Sequence, residues 1–250
     1  MTTPRTRLYV NPALAANTAV GLTEPQVHYL RNVLRFGTGV EVGLFNGKDG
    51  EWLGRITTLG KDSGTITPEK QLRAQETEPD LWLLFAPIKR AAIDLVAEKA
   101  SELGASAIIP VLTKHTDVAR VNTERLLANA VEAAEQCGRL SVPAVYSPVD
   151  LPDILANWSH TRPLYVAAES GPSQPMAKAL AGRSTDPAAI LIGPEGGFAR
   201  SELELLASLP YVVPVRLGPR ILRAETAALA ALSIYQAVAG DWTQPPEQTT

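Results

Sequence analysis

From Leu81 onward the chain repeats one pattern, a short and continuously apolar run followed by a longer stretch with helical spacing. The runs are Leu81-Trp-Leu-Leu-Phe-Ala86, Ala107-Ile-Ile-Pro-Val111, Leu164-Tyr-Val-Ala-Ala168 and Ala188-Ala-Ile-Leu-Ile192, with helical patterns over 91–103 and 123–136. A strand that is apolar on both faces is stable only where both faces are covered, and helices returning between successive strands supply that cover. The pattern predicts an α/β unit with a mainly parallel sheet. Ser201-Glu-Leu-Glu204 has capping-box spacing, so a helix is expected to begin there. A last helix, rich in Ala and Leu, is expected over 225–239, with Gly240 placed to end it.

Residues before about Leu72 obey a different rule. Short β-like runs at 7–10, 40–45, 51–56 and 64–67 alternate with turns such as Asn46-Gly-Lys-Asp-Gly50. One amphipathic segment, Glu24 to Phe36, sets Val27, Leu30 and Leu34 on one helical face and His28, Arg31 and Arg35 on another. A small β-barrel carrying a basic helix is the simplest reading. The polar stretch after Gln71, with acids at Glu76, Glu78 and Asp80, fits a linker. The expected domains are therefore 1–73 and 78–241, with a flexible tail over 242–250.

Composition narrows the function classes. The chain is 45% hydrophobic and 20% charged, ordinary for a globular protein. No apolar run approaches the ~20 residues of a membrane span, and the opening MTTPRTRLYVNP lacks a secretory core, which places the protein in the cytoplasm as an expectation. Cys137 is the single cysteine and reads as a small buried hydrophobe; His28, His115 and His160 show no zinc spacing, so no metal is expected. A net charge of −3 argues against coating nucleic acid by charge alone. The charge is uneven, however. Residues 1–75 carry nine Lys+Arg against six Asp+Glu (+3) and the remainder fourteen against twenty (−6), so the N-terminal part is the basic one. Arg7, His28, Arg31 and Arg35 are candidates for contact with an anionic partner, against the plainer reading of an exposed basic helix.

Two segments carry chemistry. Ile190-Leu-Ile-Gly-Pro-Glu-Gly-Gly197 runs a buried strand into a turn where glycines let bare backbone approach a ligand, with a helix N-terminus close behind. Val215-Arg-Leu-Gly-Pro-Arg-Ile-Leu-Arg-Ala-Glu-Thr226 repeats the strand, Gly-Pro turn and helix, with Arg216, Arg220, Arg223 and Glu225 around the turn. Clustered arginines there call for an anion or a set of salt bridges. Neither turn is G-x-G-x-x-G, and the nearest phosphate-loop candidate, Gly43 to Lys48, is one residue short, which disfavours a dinucleotide or triphosphate site.

Five segments in order resemble the ribosomal RNA small subunit methyltransferase E family of the SPOUT superfamily. They are His28-Tyr-Leu-Arg-Asn-Val-Leu-Arg35, Glu98-Lys-Ala-Ser-Glu-Leu-Gly104, Glu132-Ala-Ala-Glu-Gln-Cys-Gly-Arg139 with Val142-Pro143, Ile192-Gly-Pro-Glu-Gly-Gly-Phe198 and Leu217-Gly-Pro-Arg-Ile-Leu-Arg-Ala-Glu-Thr-Ala227. Ala224 stands where the family pattern has Thr, and Cys137-Gly138 where Ser is commoner. The resemblance implies a PUA-like RNA-binding barrel, which makes Arg7, His28, Arg31 and Arg35 candidates for RNA phosphate contact, followed by an α/β domain threaded into a trefoil knot. It implies S-adenosylmethionine gripped by backbone groups of three loops, here at Ala168 and Glu169, at Ile192, Gly193, Pro194, Gly196 and Gly197, and at Leu217, Gly218, Ile221 and Leu222. The implied reaction is methylation of uridine N3 in 16S ribosomal RNA, within the small subunit, by a homodimer.

Uridine N3 must lose a proton, and its carbonyl oxygens need a cation, to become nucleophilic. Arg223 suits the cationic role. Glu195, or failing it Glu225, suits the base, with loop shaping as the other reading of Glu195. Arg139, ending a helix, is expected to reach the RNA or a second subunit's site. Two alternatives stand beside this reading: a superfamily member modifying another RNA position, and a non-catalytic RNA-binding assembly factor.

Overall fold

The computed structural model describes residues 4–118, 120–168, 171–182 and 187–243. In chain order its first elements are β1 (Arg7–Tyr9), β2 (Val20–Gly21), α1 (Glu24–His28), β3 (Glu41–Phe45), β4 (Glu51–Leu59) and β5 (Gly64–Arg73). Then follow β6 (Leu81–Phe85), α2 (Arg90–Glu102), β7 (Ala107–Leu112), α3 (Thr123–Cys137), β8 (Ala144–Val145), β9 (Val149–Asp150) and α4 (Leu151–Ala156). The last are β10 (Leu164–Ala167), β11 (Gln174–Pro175), α5 (Met176–Leu180), β12 (Ala188–Ile192), α6 (Arg200–Ala207), β13 (Val212–Arg216) and α7 (Ala224–Val238). They divide into two compact units, one of residues up to 77 together with 131–142, the other of 78–130 and 143 onward.

The first unit is a five-stranded sheet in the order β1-β3-β4-β5-β2, parallel at β1–β3 and antiparallel elsewhere. Register shifts along β4–β5 curl the sheet around Leu8, Val42, Leu44, Ile56 and Ile66. Among the described residues no ladder joins β2 back to β1, so the barrel expected from the sequence is an open half-barrel. α1 starts at Thr23, whose N–H donates to Gln26 Oε1 at 2.9 Å, and runs on into a wider π turn, Tyr29–Val33. Val27 and Leu30 face inward and His28, Arg31 and Arg35 outward. The segment ends sooner than the spacing predicts, because Arg35 turns into the left-handed region (φ 57°) and Phe36 N closes back on Leu30 O at 2.9 Å.

Residues 131–142 belong to this unit through one buried carboxylate. Glu51, only 5% exposed, accepts from Arg7 Nε and Arg73 Nε, each at 2.7 Å. The same guanidiniums then cap the end of α3: Arg7 donates to the carbonyls of Ala134 (2.8 Å), Glu135 (3.2 Å) and Arg139 (2.7 Å), and Arg73 to that of Gly138 (2.7 Å). Helix C-terminal carbonyls lack internal partners and carry partial negative charge, so two cations answer both needs. Arg7 also lies over the Phe45 ring, 4.4 Å from its centroid. The sequence reading placed Arg7 on the RNA face; the structure corrects this, since its charge and four of its N–H groups are spent inside the unit. Cys137, expected to be buried, is exposed in the last turn of α3.

The second unit is an eight-stranded sheet in the order β11-β13-β10-β12-β6-β7-β8, with β9 pairing β7, and every ladder in it is parallel. Alternate residues serve opposite faces. Leu84, Ile109, Leu164, Val166, Ala189 and Leu191 pack with Leu151 and Leu155 of α4 and Leu206 of α6. On the other face α7 packs against β6 and β12 and against α2 and α5. All five residues of β12 are buried, as a strand covered on both faces requires. The last turn of the described chain, Asp241–Thr243, is a 3₁₀ turn, and the remainder of the expected tail lies outside the described residues. No described helix is long and apolar enough to cross a membrane.

Glu135, beside the Arg7 network, has its carboxyl pushed up from 4.5 to about 7 by burial, against the opposing pull of the Tyr9 N–H and the Arg7 charge. Between those values the folded state keeps a proton that the unfolded chain has lost. Its contribution is therefore neutral below the unfolded value, grows unfavourable as pH rises from there to about 7, and levels off above that. Urea unfolding across pH 4.5–8 should show wild type losing on the order of 1–3 kcal/mol relative to Glu135→Gln. Parallel curves for the two proteins would remove Glu135 from the pH response.

Candidate active site

The site is set by register. Ala167, at the end of β10, pairs with Ile192 of β12 on one side and with Val215 of β13 on the other. The three strands run in one direction, so the segments after 167, 192 and 216 all leave the same edge of the sheet. β10 lies between two strands that follow it in sequence, and in open parallel sheets ligands bind where strand order reverses, outside the carboxyl ends.

Each loop has a specific construction. After β12, Gly193 is buried against Phe198: a Cβ there would come within 2.8 Å of the ring. The chain then turns through Gly197 (φ 68°), whose N–H donates to Pro194 O at 2.9 Å, leaving Glu195 and Gly196 exposed. α6 begins at Arg200, not at the expected capping box: Glu202 accepts from Ala199 N at 2.8 Å, while Glu204 pairs instead with Arg200 at 2.9 Å. After β13, Arg216 donates to Ser173 O at 2.5 Å. Gly218 then takes φ 136° with open space around it. Among the described residues no backbone hydrogen bond engages 217–222. Ile221 is 82% exposed, a large apolar side chain left without cover.

Arg223 is exposed at the N-cap of α7, and Glu225 lies in its first turn. Glu225 Oε2 is buried and has no hydrogen-bond partner among the described residues. A buried acceptor left unpaired costs roughly 1–3 kcal/mol, so its persistence beside this loop fits a site that receives a donor from a ligand. Unengaged backbone groups, a glycine with free space and an uncovered Ile221 fit the same conclusion: this edge can hold an organic cofactor by main-chain contacts. Among the described residues no three His, Cys, Asp or Glu side chains gather as metal ligands.

The structure brings Ile192, Gly193, Pro194, Gly196 and Gly197 to one strand end and Leu217, Gly218, Ile221 and Leu222 to another, with Ala168 between them in sheet order. Glu169 lies outside the described residues. In the first unit His28, Arg31 and Arg35 are exposed, and Arg31 Nη1 donates to Gly60 O at 3.3 Å. Arg139 is half-buried, its Nε donating to Ser141 Oγ at 3.1 Å and its carbonyl engaged by Arg7. Sequence reasoning missed Lys114, His115 and Glu202, which hold the glycine turn. His115 Nδ1 lies 2.9 Å from Gly197 O across 82 positions, a separation at which no periodicity or motif signals contact.

If the Glu225 carboxylate awaits a ligand, removing it should not weaken the empty protein. Glu225→Ala is expected to melt at or above the wild-type midpoint, gaining up to about 1–2 kcal/mol by differential scanning calorimetry. A clear loss of stability would instead make Glu225 a structural group.

The comparisons with known proteins agree with this construction. An RNA methyltransferase domain model matches residues 75–236, and an RNA methyltransferase PUA domain model matches residues 22–69. The ribosomal RNA small subunit methyltransferase E of Rickettsia conorii is 36% identical over 91% of this chain and 93% of its own length. The Synechocystis protein of the same name is 31% identical over 93% of this chain and 77% of its own length. Among solved structures, a Legionella pneumophila methyltransferase in complex with S-adenosylmethionine superposes with a TM-score of 0.85 at 28% identity, covering 96% of this chain and 100% of that one. The ribosomal RNA small subunit methyltransferase E of Neisseria gonorrhoeae, bound to S-adenosylmethionine, gives 0.84 at 27% identity, covering 95% and 99%. With strand order, loop construction and these relatives in agreement, the chain belongs to the ribosomal RNA small subunit methyltransferase E family.

Proposed function

We propose that the protein methylates N3 of a uridine in 16S ribosomal RNA with S-adenosylmethionine, acting in the cytoplasm on the small subunit as a homodimer. The observation that carries the reading is the backbone-lined edge formed by the ends of β10, β12 and β13, with Glu225 Oε2 buried and unpaired beside it. Two solved relatives of the same fold bind S-adenosylmethionine, which supports the same cofactor here. The trefoil threading and the domain limits 1–73 and 78–241 belong to this proposal.

When bound, S-adenosylmethionine supplies an electrophilic methyl on a sulfonium, whose departure returns the electron pair to sulfur. The protein's own residues have three tasks. Backbone groups of Gly193, Pro194, Gly196 and Gly197, with those of Leu217, Gly218, Ile221, Leu222, Ala168 and Glu169, hold and orient the cofactor. Arg223, exposed at the α7 N-cap, stabilises negative charge spreading over the uracil carbonyls as N3 loses its proton. Glu195 takes that proton, with Glu225 the second carboxylate able to do so. His28, Arg31 and Arg35 contact RNA phosphates, and Arg139 reaches the RNA or the second subunit's site.

Small ribosomal subunits lacking the modification, incubated with labelled S-adenosylmethionine, should yield labelled 3-methyluridine in nucleoside mass spectrometry. Arg223→Ala should lower kcat roughly a hundredfold at saturating cofactor with little change in cofactor Kd. A different labelled nucleoside would move the specificity, and turnover near wild type would take Arg223 out of the mechanism. RNA affinity should fall steeply with salt, and Arg31→Ala with Arg35→Ala should flatten the log–log slope by about 1–2; a slope equal to wild type would acquit both side chains.

A further inference from the structure

The glycine turn after β12 is held from outside, by a tight turn after β7. Thr113 and Thr116 close that turn, Thr113 N donating to Thr116 Oγ1 at 2.9 Å and Thr116 N to Thr113 O at 3.1 Å. Its tip, Lys114-His115, reaches past the end of β6, which lies between β7 and β12 in the sheet. Lys114 N donates to Oε1 of buried Glu202 at 2.8 Å, and Lys114 Nζ to Ser201 Oγ at 2.8 Å. The other oxygen of Glu202 accepts from Ala199 N at 2.8 Å. His115 Nδ1 meets Gly197 O at 2.9 Å and Gly196 O at 3.2 Å. Both partners only accept, so Nδ1 carries the hydrogen.

We propose that His115 is a positioning residue for cofactor binding, locking the peptide planes of Gly196 and Gly197. The inference rests on the reading of this loop as a cofactor loop. A trans peptide carries its C=O and N–H on opposite sides, so holding Gly197 O fixes the direction in which the Phe198 N–H points. The Gly196–Gly197 plane is held from both sides, by His115 at Gly196 O and by the Gly197 N–H on Pro194 O at 2.9 Å. Glycine imposes little restraint of its own, so without His115 the Gly197–Phe198 plane loses its anchor among the described residues and rotates among several orientations. A ligand gripped by main-chain groups would then have to order that plane as it binds, and affinity falls by that fraction. His115 acts on the loop and not on the reacting atoms, so its effect belongs in cofactor affinity and not in the rate at saturation.

The test uses the full-length protein, with S-adenosylmethionine affinity by isothermal calorimetry and folding checked by thermal melting. Asn carries its amide nitrogen at the position of His Nδ1, whereas Gln carries it one bond further out. His115→Ala and His115→Gln should weaken binding about three- to tenfold and raise the cofactor KM alike, with kcat within about twofold. His115→Asn should bind like wild type. Gly197→Val, strained at φ 68°, probes the loop itself. Wild-type affinity in His115→Ala while Gly197→Val fails to bind overturns the role of His115 and leaves the cofactor loop standing. Wild-type affinity in both overturns the loop reading as well. Equal losses in His115→Ala and His115→Asn overturn the Nδ1 assignment.

Discussion

The fold turns on the placement of β10. Four residues, Leu164–Ala167, are hydrogen-bonded on both sides by strands that the chain makes later, β12 and β13. A strand so enclosed is buried whatever follows it, and Leu164, Tyr165 and Val166 are at most 2% exposed. The enclosure forces β12 to be apolar on both faces and obliges helices to cover both sides of the sheet, which α4 and α6 do on one face and α2, α5 and α7 on the other. It also gathers three strand ends at one edge. The site follows from the pairing and not from any single side chain.

The first unit is built around charge. Burying Glu51 would be costly alone, and a buried ion pair gains little unless its remaining hydrogen-bonding groups are satisfied. Here both carboxylate oxygens are engaged, and both arginines also donate to carbonyls at the end of α3. The network explains why a stretch far away in sequence, 131–142, groups with the half-barrel: it supplies acceptors that the guanidiniums need, while Ala134 and Leu140 cover Phe45. Removing Glu51 would leave the Arg7 guanidinium, its side chain 13% exposed, without its carboxylate.

Much of this could be read from the chain. The long, regular elements were legible because burial leaves a period: β6, β7, β10 and β12 as continuous apolar runs, α2, α3 and α7 as helical stripes. The two glycine turns stood out because they interrupt such runs at their ends. What the sequence hid was either short or distant. β2, β8, β9 and β11 have two residues each, fewer than any periodicity needs. The basic residues near the N-terminus looked alike, yet Arg7 is interior and Arg31 exposed, a difference set by Glu51 and by carbonyls more than a hundred positions away, as the spacing of 127 between Arg7 and Ala134 shows. The start of α6 was misread for a related reason: Glu202 caps the helix through Ala199 N and is held at its other oxygen by the amide of Lys114, 88 positions earlier, a contact that no local pattern signals.

A loop that grips a ligand by its backbone faces two opposed demands. It must be bare enough for close approach, which favours glycine, and ordered before the ligand arrives, which glycine opposes. The turn after β12 meets both by separating them. Gly193, Gly196 and Gly197 keep the backbone uncovered, while order comes from residues outside the loop: Phe198 packed on Gly193, Glu202 holding Ala199, and the Lys114-His115 tip holding the far side. The turn after β13 is arranged otherwise, since Gly218 has open space about it and residues 217–222 make no backbone hydrogen bond among the described residues. The entropy of ordering falls on that second loop, and so does the uncovered apolar surface of Ile221 that could repay it on binding. One loop is therefore preformed and the other adaptable, and Glu225, with its Oε2 buried and unpaired, lies just after the adaptable one.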